Sequence, residues 1–204
     1  MSLEERTVWV FGSGNPHKLA EISALLANAP IRLEPLPSGI ELPPEDGHTL
    51  LANARIKAHA AARATGRVAL ADDTGLEVDA IGGEPGVYSA RFAGETATFD
   101  DNNHLLLERL RGIHGVNRRA RFRCVFVLAD PEGKEVSAEG RLEGFIETQT
   151  RGTNGFGYDP LFVPEGTSRT LAELAAGEKN AISHRARAAQ ALVETMRARG
   201  RWTP

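Results

Sequence analysis

Apolar positions along this 204-residue chain follow two periodicities, and the switches between them mark its elements. Thr7-Val8-Trp9-Val10-Phe11 is a short apolar run bounded by glycine and predicts a buried strand. Gly12-Ser13-Gly14-Asn15 follows as a loop. Asn15 is a good helix N-cap, and Pro16 suits the first helical position. Leu19, Ile22, Leu26 and Ala29 then keep helical spacing as far as Pro30. Residues 31–46 contain Pro35, Pro37, Pro43 and Pro44 and predict an irregular connection. A second helix runs over about 49–65 and is stopped by Gly66. Residues 67–71 predict a strand ending in Asp72-Asp73-Thr74-Gly75. Leu76, Val78 and Ala80 alternate with Glu77 and Asp79, which predicts a half-buried strand beyond it.

Residues 82–97 are loop-rich, and a helix capped near Thr98 carries Asp100 and Asp101 in its first turn. Residues 120–129 and 135–146 flank Asp130-Pro131-Glu132-Gly133-Lys134 and predict a β-hairpin. A loop with three glycines, residues 152–159, leads into Leu161-Phe162-Val163, and the last helix spans about 183–200. Crossover helices together with a hairpin indicate an α/β fold with a mixed sheet. The chain shows no repeat, no low-complexity tract and no linker, so residues 1–204 read as one domain.

A composition of 41% hydrophobic and 25% charged residues excludes disordered, collagen-like and disulfide-rich classes. The net charge of −3 argues against a protein that binds nucleic acid by neutralising phosphates. Any bound anion must therefore be held by a local cluster. A single cysteine, Cys124 in an apolar run, forms neither an internal disulfide nor a zinc site. The opening Met1-Ser2-Leu3-Glu4-Glu5 is acidic where a signal peptide would be basic, and no apolar run approaches a membrane span. A soluble, cytoplasmic protein is expected. Only four of the 24 basic residues are lysines, Lys18, Lys57, Lys134 and Lys179, which raises the question of why a compact point charge stands at each.

Candidate chemistry concentrates in four places. The first strand–loop–helix could hold a phosphate on loop amides and a helix start, but it lacks the third glycine of a dinucleotide fingerprint and fails the P-loop pattern. It also fits a plain tight turn. His17 and Lys18 sit in a first helical turn, and His184 and Arg185 follow Ser183 at the start of the last helix, where the helix dipole disfavours cations. Two such starts suit a bound polyanion, or a solvated face at small cost. Asp72-Asp73 closes a strand beside the phosphate-site candidate, a placement suited to oxygen-ligated magnesium and equally to an Asp-rich turn. Neighbouring strand residues face opposite ways, so one of the two aspartates points into a given cleft. Glu45 is a further carboxylate. Gly155-Phe156-Gly157-Tyr158-Asp159 offers a ring for a base and a carboxylate for its N–H edge, or a phenylalanine anchoring a loop.

Six stretches, in order, resemble the inosine triphosphate pyrophosphatase family, whose members clear dITP, ITP and XTP from the nucleotide pool. They are Ser13-Gly14-Asn15-Pro16-His17-Lys18, Asn53-Ala54-Arg55-Ile56-Lys57-Ala58, Ala71-Asp72-Asp73-Thr74-Gly75-Leu76-Glu77-Val78, Gly83-Glu84-Pro85-Gly86-Val87-Tyr88-Ser89-Ala90-Arg91, Gly155-Phe156-Gly157-Tyr158-Asp159-Pro160 and Glu178-Lys179-Asn180-Ala181-Ile182-Ser183-His184-Arg185. The resemblance implies a mixed, strongly twisted sheet flanked by helices, two lobes with a cleft between them, and a homodimer. It implies magnesium-dependent hydrolysis of a nucleoside triphosphate to the monophosphate and pyrophosphate, with no nucleic-acid or membrane partner.

Carried over residue by residue, Ser13, Gly14, Asn15, Pro16, His17 and Lys18 would hold the triphosphate, and Lys57 would join the substrate site. Asp73 would be the catalytic carboxylate and a metal ligand, with Glu45 and Asp72 as further ligands and Thr74 beside the substrate. Phe156, Gly157, Tyr158, Asp159, Lys179, His184 and Arg185 would hold the base and the sugar-phosphate. Three of the four lysines fall on matching stretches. Ala52 stands where many members carry a glutamate, Thr74 where serine is more usual, and residues 32–44 match poorly. The nearest rival readings are a pyrophosphatase of modified pyrimidine nucleotides and a nucleotide sensor without turnover.

Overall fold

The computed structural model describes residues 6–204, so the acidic opening at residues 1–5 lies outside the described residues. In chain order the elements are β1 (Thr7–Phe11), α1 (Pro16–Leu25), β2 (Ile31–Pro35), α2 (Leu50–Thr65), β3 (Ala69–Val78), β4 (Pro85–Gly86) and α3 (Phe99–Arg109). There follow β5 (Arg119–Ala129), β6 (Glu135–Ile146), β7 (Phe162–Pro164), α4 (Ala176–Ile182) and α5 (His184–Arg199). The strands hydrogen-bond in the order β2-β1-β3-β5-β6-β7, with β4 beside β3. The β1–β2 and β1–β3 pairs are parallel, and the β3–β4 and β6–β7 pairs are antiparallel. The sheet is mixed, as the sequence predicts.

Local rules explain most boundaries. The Asn15 side chain accepts from the His17 and Lys18 amides, with Pro16 at the first helical position. Thr49 caps α2, and Gly66 ends it in a left-handed conformation. Thr98 and Asp101 form a capping box at α3. Two expectations need correction. Residues 31–46 are not wholly irregular, because Ile31–Pro35 forms β2 in register with β1, Thr7 opposite Ile31 and Phe11 opposite Pro35. Proline is tolerated there because β2 is an edge strand and Pro35 is its last residue. The Asp-Asp-Thr-Gly segment does not end a strand but is the middle of β3, a single ten-residue strand that joins the two expected there. Between the Gly-rich loop and the last helix lies α4, too short to show a helical period of its own.

The chain divides into two compact units, one comprising residues up to 73, 124–140 and from 185 onward, the other residues 74–123 and 141–184. In the first, Trp9, Phe11, Leu70, Phe126 and Leu128 from strands meet Ile22 of α1, Leu26 just past its end, and Leu192 and Met196 of α5. Each such buried side chain contributes roughly 1.5–3 kcal/mol. Cys124 is a buried thiol in this core. In the second, Leu76 and Val78 meet Leu106 of α3, Leu110 just past its end, Phe122, Leu142, Ile146 and Phe162. Buried Arg118 donates to the carbonyls of Leu110, just past α3, and of Ile146 and Glu147, at the end of β6, and so ties the two together. No helix among the described residues is long and apolar enough to cross a membrane.

Candidate active site

Two adjacent aspartates on β3 organise the first unit. Because strand side chains alternate, they face opposite ways and meet different helices. Asp72 shares the face of Leu70, toward α1 and α5, and is fully buried. Its Oδ2 lies 2.9 Å from Lys18 Nζ and 3.9 Å from Arg185 Nε. Burial alone would raise its pKa. Lys18, Arg185 and Lys57 outweigh that and hold it down at about 2. Arg185 also donates to Glu21 at 3.0 Å. The two cationic helix starts therefore converge on one carboxylate, which explains why a helix N-terminus tolerates them.

Asp73 faces α2. Asn53 and Lys57 are one turn apart on that helix, the i,i+4 spacing that sets two side chains on one face. Asn53 Nδ2 donates to Asp73 Oδ2 at 3.2 Å, and Lys57 Nζ lies 3.3 Å from Asp73 Oδ1. The same ammonium is 3.1 Å from Glu45 Oε1, so both carboxylates converge on one cation. Burial pushes the Asp73 carboxyl up to about 6, with Lys57 opposing and Glu45 adding to the rise. Lys57 is itself held above the usual lysine value: burial would lower it, but Asp73, Asp72 and Glu45 together prevail. Neighbouring carboxylates with pKa values pushed in opposite directions are a recurrent mark of functional sites.

At the Gly loop, Asn15 already occupies the His17 and Lys18 amides, so attraction for an anion rests on the Lys18 ammonium more than on helix-start N–H groups. Ser13 Oγ accepts from the Asn15 amide, and Gly14, Pro16 and His17 are exposed. The Lys18, Lys57 and Arg185 charges are all matched by buried or half-buried carboxylates. A polyphosphate here would need positive charge from elsewhere. Glu45 and Asp73, two hard oxygen donors already converging on a cation, suit magnesium, which commonly takes one or two carboxylates and completes its octahedron with waters and phosphates. No larger acid, histidine or cysteine cluster occurs among the described residues. Asp72 does not fit as a third ligand. It is closed to solvent, and Lys18 and Arg185 stand at its carboxylate.

The second unit holds the remaining candidates. Gly155 has φ +74°, and a Cβ there would run into the Asp159 carboxylate, so the loop needs glycine. That carboxylate is buried. Its Oδ2 accepts from the Phe156 amide at 2.9 Å and from Lys179 Nζ at 2.6 Å. Lys179 Nζ also lies 5.0 Å from the centroid of the half-buried Phe156 ring, within cation–π range. Asn103 of α3 donates to the Gly157 carbonyl and ties the loop to that helix. Tyr158 is a core residue whose hydroxyl donates to the Ser89 carbonyl, and burial drives its pKa well above the usual phenol value. His184 is buried against Phe122, rings stacked with centroids 4.6 Å apart. Thr74 is half-buried beside Asp73 on β3. Asn53 is a further residue of this site, marked in the sequence by its place one turn before a buried lysine.

In this mixed-sheet α/β protein a buried carboxylate thus shares a lysine ammonium with a glutamate. The chain belongs to the Ham1 family, whose model matches residues 9–195. It is 50% identical over 185 residues to a dITP/XTP pyrophosphatase of Elusimicrobium minutum, covering 88% of this chain and 94% of that protein. A dITP/XTP pyrophosphatase of Deinococcus deserti is 51% identical over 183 residues, covering 90% and 86%. Among solved structures, a HAM1 protein from Coxiella burnetii matches with TM-score 0.85 and 40% identity over 94% of this chain and 99% of that one. The Staphylococcus aureus Ham1 protein matches with TM-score 0.82 and 34% identity over 95% and 100%.

Proposed function

We propose that this chain hydrolyses non-standard purine nucleoside triphosphates, dITP, ITP and XTP, to the monophosphate and pyrophosphate, keeping deaminated purines out of DNA and RNA. One observation carries the chemistry: a buried carboxylate, Asp73, with its pKa raised to about 6 and aimed with Glu45 at a single cationic position. A carboxylate so placed can orient a water and take its proton. Lys18, held in place by Asp72, offers the phosphates a hydrogen-bond donor that needs no reorganisation, while most of the positive charge comes from the metal. Magnesium, held by Asp73 and Glu45, would neutralise phosphate charge and template an in-line displacement at the α-phosphorus. Asp72 serves as the counter-ion that fixes Lys18 and Arg185, and is not a ligand.

For the base, the Lys179–Asp159 pair sets a donor beside an acceptor. A 6-oxopurine presents the complement, an acceptor oxygen beside an N1–H donor, whereas adenine presents the reverse. Each mismatch costs about 1–3 kcal/mol through unpaired polar groups. Phe156 offers its ring for stacking. The family resemblance adds a homodimer, acting in the cytoplasm without nucleic acid or membrane, with the whole chain as the working unit. The test is pyrophosphate release from dITP, XTP, dATP and dGTP with magnesium. Rates for dITP and XTP at least tenfold above dATP support the reading. Binding of dITP without pyrophosphate release would contradict it and indicate a sensor.

A further inference from the structure

Glu45 lies in the irregular segment between β2 and α2, yet its carboxylate meets the ammonium that Asp73 also meets. Something must hold that segment in place, and two residues past Glu45 the chain touches α2. The Gly47 amide donates to Asn53 Oδ1 at 2.8 Å, while Asn53 Nδ2 donates to Asp73 Oδ2 at 3.2 Å. Asn53 is fully buried, and its two partners fix which way its amide points. A flip would set an N–H against the Gly47 N–H and an oxygen against a carboxylate. The approach at Gly47 admits no side chain. A methyl group there would fall 2.6 Å from Asn53 Oδ1 and 2.8 Å from the Ala52 Cβ, closer than real side chains come.

We infer that Asn53 is a positioning residue whose amide clasps Gly47 and Asp73 together, so that Glu45 and Asp73 present their carboxylates to one divalent cation. The inference rests on reading those two carboxylates as the metal side of the site. A short amide on the first turn of a long helix joins two acids that the chain order keeps apart. Aspartate at position 53 would face Asp73 with like charge, and alanine would leave the Gly47 amide and Asp73 each short of one partner.

The experiment is binding of manganese(II) alone to the full chain, followed by electron paramagnetic resonance, for the wild type, Gly47→Ala, Asn53→Ala, Glu45→Gln and the Gly47→Ala/Glu45→Gln double variant. Glu45→Gln should weaken manganese binding, and Gly47→Ala should weaken it by roughly 10- to 100-fold, as loss of a group supporting a ligand does. In the Glu45→Gln background Gly47→Ala should weaken binding by a clearly smaller factor than in the wild type, because much of its effect runs through Glu45. A purely structural defect would instead multiply with the loss of Glu45. Should Asn53→Ala fail to fold, Gly47→Ala carries the test, with its thermal melt confirming the fold. Normal manganese binding by Gly47→Ala while Glu45→Gln is impaired overturns the clasp alone. Normal binding by Glu45→Gln overturns the reading of Glu45 as a ligand, and the clasp with it.

Discussion

Replacing Asp73 by asparagine should stabilise the folded chain while removing turnover. The amide keeps an acceptor for Asn53 and leaves Lys57 paired with Glu45. It removes a buried charge that burial disfavours, the reason the carboxyl stands at about 6 instead of 3.8. Two pKa units, at about 1.4 kcal/mol each, make about 3 kcal/mol. The folded-state pKa is raised, so the wild type is most stable, in this respect, below about pH 4 and loses that stability as pH rises through 6. The variant has no such loss. Its advantage should be about 3 kcal/mol at pH 7.5 and shrink to about 1 kcal/mol at pH 4.5. For a chain of this length 3 kcal/mol raises Tm by roughly 6–12 °C. Thermal melts of both proteins in chelator, at pH 4.5 and 7.5, supply the numbers. A variant no more stable than the wild type at pH 7.5, or an advantage equal at both pH values, would refute the reasoning. Activity bought at the expense of stability is a familiar arrangement at catalytic acids.

The neighbouring aspartate should behave in the opposite way. Asp72→Asn leaves Lys18 and Arg185 without their shared counter-charge and should cost about 3–5 kcal/mol in urea unfolding at pH 7.5, where a stabilised variant would contradict the counter-ion role. Lys18→Ala should lower kcat/KM for ITP and GTP by the same factor, since it reads charge common to both; a changed ITP:GTP ratio would count against it. Arg185→Ala, whose guanidinium lies on Glu21 and Asp72, should likewise leave the ITP:ATP ratio unchanged. Lys179→Met should narrow that ratio by roughly one to two decades, and an unchanged ratio would remove Lys179 from base reading.

Elements with a local cause were legible in the sequence. Asn15 with Pro16, Thr49 with Gly66, Thr98 with Asp101 and the hairpin around Gly133 each declare themselves within a few residues. What failed depended on distant partners. Asp72 and Asp73 look like the end of a strand because two adjacent acids are costly inside one, and Lys18, Arg185, Lys57 and Asn53, brought from three helices, help keep them there. β2 was hidden because alternating Ile31 and Leu33 are followed by prolines, and an edge position excuses Pro35. The scarcity of lysine pointed the right way. Lys18, Lys57 and Lys179 each meet a buried aspartate, Asp72, Asp73 and Asp159 in turn. Which aspartate each would meet is a fact of topology, so no local pattern could announce it. For the same reason His184 and Arg185, adjacent in sequence, separate in the structure, one stacked on Phe122 and the other set on Glu21 and Asp72.

The most direct test of the central claim, water attack at the α-phosphorus with pyrophosphate leaving, is hydrolysis of ITP with magnesium in water enriched in oxygen-18. The products are separated and weighed by mass spectrometry. One labelled oxygen on IMP, with unlabelled pyrophosphate, is the predicted result. Label in pyrophosphate, or orthophosphate and IDP as products, would contradict it.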